Sequence, residues 1–390
     1  MVRVLVIGDA GAPTGFGVVV HNIFERLVRD FDVDVHVLAA NYRGDYVETP
    51  LKLYVPTLLD RLDIYGESRF VELVGKLMPD AIFFINDPQI VLSCLLDNKY
   101  DPNRVLWRGI QNGDALYRPP IIAYMPIDGY DSPRSWDLLK ERVTRIAMTR
   151  FGQTAMPEAS VVWHGVDTTV FKPMDKRDAK TALGFDPDRF LVLRVDKNSF
   201  RKDYPDTWRA LRPLMRKYHD IDVHFHCLAN AMDGNDLRSF AFNDEDIRDR
   251  LTFSPDLTGY TGWPIENLAM LHSAADIFVS TSWGEGFGLS NLNSLACGTP
   301  VIASDCSANT EVVGPGGILI RPTRRMAVPM GQDQCLPDVR AFSAAIERLY
   351  LTPSLRQSLA ERGLVHATKF SWDVAAEKVY AIIDQAINST

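Results

Sequence analysis

The chain of 390 residues is long enough for two domains of roughly 150 to 200 residues each. A hydrophobic share of 46% and a charged share of 24% exclude a disordered or fibrous chain, and no run of about 18 apolar residues offers a membrane span. The formal net charge of -8 excludes broad electrostatic attraction to nucleic acid or an anionic bilayer, and leaves open only a local, peripheral membrane contact.

The first apolar run, 1–7, stops at Gly8-Asp9 without a cleavage-site pattern and reads as a buried strand rather than a signal peptide. It opens an alternation of strands over 2–7, 33–39, 81–85, 121–126 and 145–148 with helix-compatible spacing over 18–28 and 69–77. Strand and helix in turn predict a parallel sheet covered on both faces. A turn and polar stretch after Ser160 mark a domain boundary, and a second alternation follows, with strands over 190–195, 221–226, 276–280, 300–303 and 317–320. Helical segments fill the tail from Val339 to Asn388, interrupted by Phe370-Ser371-Trp372. The expected fold class is therefore α/β with two Rossmann-like domains. Five cysteines, Cys94, Cys227, Cys297, Cys306 and Cys335, show neither a C-x-x-C pair nor zinc-ligand spacing, so free thiols in a cytoplasmic protein are expected.

Ligands of open α/β sheets sit beyond the carboxyl ends of the strands, so the strand-to-helix turns are the places to look for chemistry. Gly11-Ala12-Pro13-Thr14-Gly15-Phe16-Gly17 follows the first strand and precedes a helix, where backbone N–H groups can approach an anion. The residues alone equally allow a turn that needs glycine for steric reasons. Lys197-Asn198-Ser199-Phe200-Arg201-Lys202 places three cations after a strand, enough to neutralise a diphosphate, although a solvated basic loop has the same composition. The stretch from Ser282 to Pro300 joins a glycine-rich turn holding one carboxylate, Glu285, to a helix that Gly298 stops. Asp128, in Tyr124-Met125-Pro126-Ile127-Asp128-Gly129-Tyr130, either orients a substrate or forms an Asp-Gly turn. His224-Phe225-His226 puts two imidazoles on one strand face; without partner ligands nearby in the sequence a structural role is expected, and no metal is assigned.

The segment Glu285-Gly286-Phe287-Gly288-Leu289, continued through Ala296-Cys297-Gly298-Thr299-Pro300, resembles the donor-site signature of the family 4 retaining glycosyltransferases. His164 to Pro173 looks like that family's interdomain segment, Lys197 to Lys202 like its phosphate-binding pair, and Phe370-Ser371-Trp372 like the start of its closing helix. The resemblance covers the second half closely and the first half mainly in the opening glycine loop. It implies the GT-B architecture, two Rossmann-like domains facing across a cleft, divided into an acceptor domain at 1–163, a donor domain at 164–369 and a closing helix at 370–390 that returns to the first domain. It implies a nucleotide diphosphate-sugar as donor substrate and no obligatory cofactor or metal. Carried over residue by residue, Glu285 contacts hydroxyls of the transferred sugar, while Gly286 and the amides of Phe287, Gly288 and Leu289 lie near sugar and phosphate. Lys202 binds the diphosphate with Lys197 and Arg201, Gly15 and Gly17 approach it from the first domain, and the 254–257 stretch is the candidate for the base pocket.

Two positions depart from the family pattern. The signature's second carboxylate is replaced by Asn293, which still hydrogen-bonds a ribose but supplies no charge, and the usual arginine is Lys197, which loses bidentate geometry. The expected activity is transfer of a sugar with retention of configuration, by same-face attack. A non-catalytic nucleotide-sugar-binding protein and a sugar-nucleotide epimerase of the same architecture are the alternatives. The acceptor stays open among glycan, lipid-linked sugar, metabolite, protein and modified nucleic-acid base.

Overall fold

A strand that is apolar without alternation is stable only inside a sheet covered on both faces, and β1 (Arg3–Gly8) is such a strand, with Val4, Leu5 and Val6 fully buried. The computed structural model describes the chain except residues 13, 41, 43, 45–46, 57–65, 97–109, 113–114, 118, 230–233, 243, 256, 258–261 and 390. It divides into two units, one of Met1–Ile127, Ser132–Gly165 and Trp372–Thr390, the other of Asp128–Asp131 and Val166–Ser371. The short segment Asp128–Asp131, which the sequence reading leaves in the first domain, groups with the second unit because Tyr130 pairs with Asp333 in an antiparallel bridge.

In the first unit β1 is followed by β2 (Asp34–Ala39), β3 (Lys52–Tyr54), β4 (Ala81–Ile85), the antiparallel pair β5 (Ile110–Asn112) and β6 (Ala115–Tyr117), then β7 (Ile121–Met125), β8 (Thr144–Ala147) and β9 (Ser160–Val161). Among the described residues all but β5 and β6 form one parallel sheet in the order β3-β2-β1-β4-β7-β8-β9. The helix Gly15–Phe31 buries Val19, Val20, Ile23, Phe24 and Leu27, the stripe a 3.6-residue period places on one face. Thr14 starts it by accepting the Gly17 N–H at 3.0 Å. The last helix, Trp372–Asn388, belongs to this unit as well: Tyr380 stacks on Phe31 at 4.3 Å between ring centroids, and Asp373 accepts from Arg26 at 2.7 Å.

The second unit repeats the plan with β10 (Phe190–Val195), β11 (Ile221–His226), β12 (Leu251–Phe253), β13 (Ile277–Ser280), β14 (Val301–Ser304) and β15 (Gly317–Ile320), and adds the antiparallel pair β16 (Arg324–Ala327) and β17 (Asp333–Leu336). Its main sheet has the order β12-β11-β10-β13-β14-β15. The helix Tyr204–Lys217 closes one face with Tyr204, Trp208, Leu211 and Leu214, which share a core with Phe342, Ile346 and Leu349 of the helix Val339–Leu351. Strands are found at the ten places where the sequence predicts them, within a residue or two at each end.

In this sheet β10 has β11 on one side and β13 on the other, so chain order reverses there. The pairs are parallel, so the turns that leave β10 and β13 set off at the same end of the sheet in diverging directions and open a crevice.

Candidate active site

The turn after β10 runs from Asp196 to Asp203. Its last part, Phe200–Lys202, is a single turn of 3-10 helix, ended by Asp203 in the left-handed region at φ 51°. The turn after β13 carries Thr281 to Gly288. The two are stitched together by backbone: Trp283 N–H donates to the Arg201 carbonyl at 3.0 Å. Glu285 is held from its far side, its N–H donating to Ser307 Oγ at 2.8 Å and its carbonyl accepting the Ala308 N–H at 3.3 Å.

This scaffold places six charged side chains in one chain of ion pairs, which ends on Arg194, 3.3 Å from Asp196 Oδ2. Lys202 Nζ lies 2.7 and 2.9 Å from the Glu285 oxygens and 2.5 Å from Asp196 Oδ1. Arg201 lies 3.5 Å from Glu285 Oε2 and 3.1 Å from Asp128 Oδ2, and also donates to the Gly284 carbonyl. Burial alone would push the Glu285 carboxyl up, but the Lys202 ammonium and then the Arg201 guanidinium outweigh it and hold the group down at about 2. Glu285 is thus a buried acceptor that is ionised at neutral pH. Three residues on, Gly288 at φ 96° begins the helix Leu289–Ala296, and no side chain caps that start. Amides at a helix start beside an ionised carboxylate can take an anion and a hydroxyl-rich group together.

Gly284 is required by the same packing. A Cβ there would lie 1.8 Å from the Asp128 carbonyl oxygen, so only glycine lets the Asp128 backbone come close enough for its carboxylate to reach Arg201.

The sequence-predicted residues separate into groups. Glu285, Lys202, Arg201 and Asp128 come together as described. Lys197 sits in the same turn with an exposed side chain. Gly286, Gly288 and Leu289 are half-buried, Phe287 is buried and meets Phe370 edge to face at 5.8 Å, and Asn293 is half-buried on the helix that Gly288 starts. Gly15 and Gly17 lie in the first unit. A Cβ on Gly15 would meet nothing within 4 Å, whereas one on Gly17 would strike the Ala12 carbonyl at 2.4 Å, so Gly17 has a steric reason of its own. Of the 254–257 stretch, Asp256 lies outside the described residues, as does Pro13 of the opening loop.

His224 and His226 converge on one hydroxyl: His224 Nε2 is 2.9 Å and His226 Nδ1 2.6 Å from Ser254 Oγ, and His224 Nδ1 is 2.8 Å from Thr252 Oγ1. Burial pushes both imidazoles down, to about 3 and about 4. Both are therefore neutral. Among the described residues no group of three or more His, Cys, Asp and Glu is placed to hold a metal ion.

Several residues that shape the site were not singled out from the sequence. Asp196 shares Lys202 with Glu285. Arg194, fully buried, donates to Thr207, to Thr281 at 2.7 Å and to the Lys202 carbonyl, and lies over the Tyr204 ring at 4.4 Å. A charged residue inside an otherwise apolar strand, Phe190–Val195, was the available signal for it. Asp203 was legible as a helix start, since Asp203-Tyr204-Pro205 has an N-cap residue with proline in the first turn.

Residues 193–351 match a family model described as glycosyl transferases group 1. The D-inositol 3-phosphate glycosyltransferase of Acidothermus cellulolyticus is 28% identical over 236 residues, 58% of this chain and 48% of that protein. The chain spans about half the length of the curated relatives it matches. Sucrose-phosphate synthase from Thermosynechococcus elongatus superposes with a TM-score of 0.75 at 18% identity, covering 100% of both chains. HepE of Anabaena, solved in complex with UDP-glucose, gives 0.70 at 15% identity, again over 100% of both. At such identities these structures show the fold. No helix among the described residues is long and apolar enough to cross a membrane. The fold is that of the GT-B glycosyltransferases, and the stretch holding Lys202 and Glu285 is similar to the glycosyl transferases of group 1.

Proposed function

We propose that this chain is a retaining glycosyltransferase of the family 4 type, moving a sugar from a nucleotide diphosphate-sugar to an acceptor hydroxyl or related group without an obligatory metal. The observation that carries the reading is the ionised Glu285 gripped by Lys202 and set beside the uncapped start of the helix Leu289–Ala296. Glu285 accepts hydrogen bonds from the sugar hydroxyls and orients the ring. Lys202, Arg201, Lys197 and the helix-start amides of Phe287 to Leu289 stabilise the charge that develops on the leaving diphosphate. Asn293 hydrogen-bonds the ribose. The second unit holds the donor and the first the acceptor. That the similar HepE was solved with UDP-glucose supports the donor class.

In the reaction the bond from the anomeric carbon to the diphosphate oxygen breaks, and its electron pair leaves with the phosphate. The acceptor oxygen bonds to the same face of that carbon, and its proton passes to the departing phosphate oxygen. Asp128, fixed by Arg201, adds negative charge to the site in which the oxocarbenium-like sugar forms.

A panel of nucleotide sugars, followed by mass spectrometry for slow donor hydrolysis, tests the reading without knowledge of the acceptor. One donor class is expected to be hydrolysed, and Glu285→Ala and Lys202→Ala to abolish the signal. If no donor is bound or hydrolysed and Glu285→Ala changes nothing, the reading is wrong. Binding without turnover on any acceptor would instead identify a non-catalytic binder, and a changed sugar in the product an epimerase.

A further inference from the structure

We propose that Asp203 is a positioning residue, whose two carboxylate oxygens clamp the helix that follows Lys202 to the Trp283 indole and so hold Lys202 and Glu285 in register. The inference rests on the donor-site reading of those two residues.

Asp203 stands directly after Lys202, and Trp283 two residues before Glu285. Its Oδ2 accepts the Trp283 Nε1–H at 2.8 Å, while Oδ1 accepts the Asp206 N–H at 3.2 Å at the start of the helix Tyr204–Lys217. Its backbone carbonyl accepts Thr281 Oγ1 at 2.6 Å and an Arg194 N–H at 3.4 Å. The carboxylate, the carbonyl and the Trp283-to-Arg201 backbone bond therefore join the turn after β10 to the turn after β13 at the point where their charges meet. Aspartate serves here because two donors approach two oxygens. Asparagine tolerates the φ of 51° equally well, but offers one acceptor oxygen and so leaves one donor unmet.

Asp203 is buried. The charged groups that act on it are Asp206 on the following helix and Arg194 on β10, and Lys202, which precedes it in the chain, is itself paired with Asp196 and Glu285. Burial, with Asp206 second, raises its carboxyl to about 6, against the Trp283 bond and Arg194, which act the other way. The signs are then distinct. A raised carboxyl makes its contribution to stability largest at low pH, and that contribution is lost as pH rises through about 6. The same rise in pH ionises the carboxylate and makes its bond to the indole charge-assisted. Positioning is gained where stability is given up.

The test uses the full chain, Asp203→Asn, Trp283→Phe and the double variant, with donor hydrolysis followed between pH 5 and 8. Wild-type kcat is expected to rise with pH through about 6. Asp203→Asn is expected to be flat there, with kcat lowered roughly 10- to 100-fold at pH 8, donor KM little changed and thermal stability at pH 8 not reduced. Trp283→Phe should lose as much, and the double variant no more than either single one. A wild-type pH profile in Asp203→Asn, or losses that multiply in the double variant, would overturn the proposal. Trp283 fluorescence, taken as the difference between wild type and Trp283→Phe, provides a readout independent of activity. It should titrate near 6 in wild type and not in Asp203→Asn. If the wild type neither binds nor turns over any donor, the donor-site reading fails, while a missing fluorescence titration removes the clamp itself.

Discussion

Glu285 keeps its charge where burial opposes it, because two cations reach it from one short turn. The Glu285 and Lys202 side chains are 7% and 14% exposed, so solvent screens the pair little. Replacing the carboxylate by an amide leaves Lys202 on Asp196 and Arg201 on Asp128, so the expected cost of Glu285→Gln is about 1 to 3 kcal/mol rather than that of a fully stranded charge. The Glu285 carboxyl is depressed, so its contribution is complete above the ordinary value of 4.5 and is lost as pH falls through about 2. Urea midpoints of wild type and Glu285→Gln are therefore expected to differ at neutral pH and to draw together as the pH is lowered from 4.5 toward 2. A gap that stays constant over that window would show that the charge is not what stabilises the turn.

At the scale of elements, the site depends on how closely two turns and the Asp128 segment approach. Gly284→Ala is expected to cost about 3 kcal/mol or more, since the new Cβ meets a backbone oxygen at 1.8 Å and neither side can yield cheaply. Gly15→Ala is its counterpart: with open space around the position, stability should hold or rise by up to about 1 kcal/mol. Thermal unfolding of the two variants separates a glycine needed for packing from one whose surroundings are open. The strands were legible because each is a short apolar run bounded by turn residues, as at 81–85, 190–195 and 221–226. The Gly284 requirement was not. It comes from Asp128, more than a hundred residues away in the chain, and no local pattern records which carbonyl will lie against a given glycine.

For the molecule as a whole, the return of the last helix to the first unit makes the stability of that unit depend on both ends of the chain. Val379 and Ile383 are fully buried on that helix, and Tyr380 stacks on Phe31. Ile383→Ala is expected to destabilise the first unit by about 2 to 5 kcal/mol, the range for deleting a buried branched side chain. Calorimetry should show the loss, and limited proteolysis should open the chain first within that unit. An unchanged unfolding profile would mean that the helix is not part of the unit's cooperative core. The α/β class, the ten main strands and the turns that hold Glu285, Lys202 and Arg201 were all legible in the amino-acid order, because the period of apolar residues and the glycine and proline signals are local properties. The packing of the folded chain is what reveals that Lys202 is shared between Asp196 and Glu285, that Asp128 joins them through Arg201, and that Asp203 faces Trp283. Those pairings depend on which strand ends are neighbours, and the order β11-β10-β13 is set by long-range packing that no stretch of sequence states on its own.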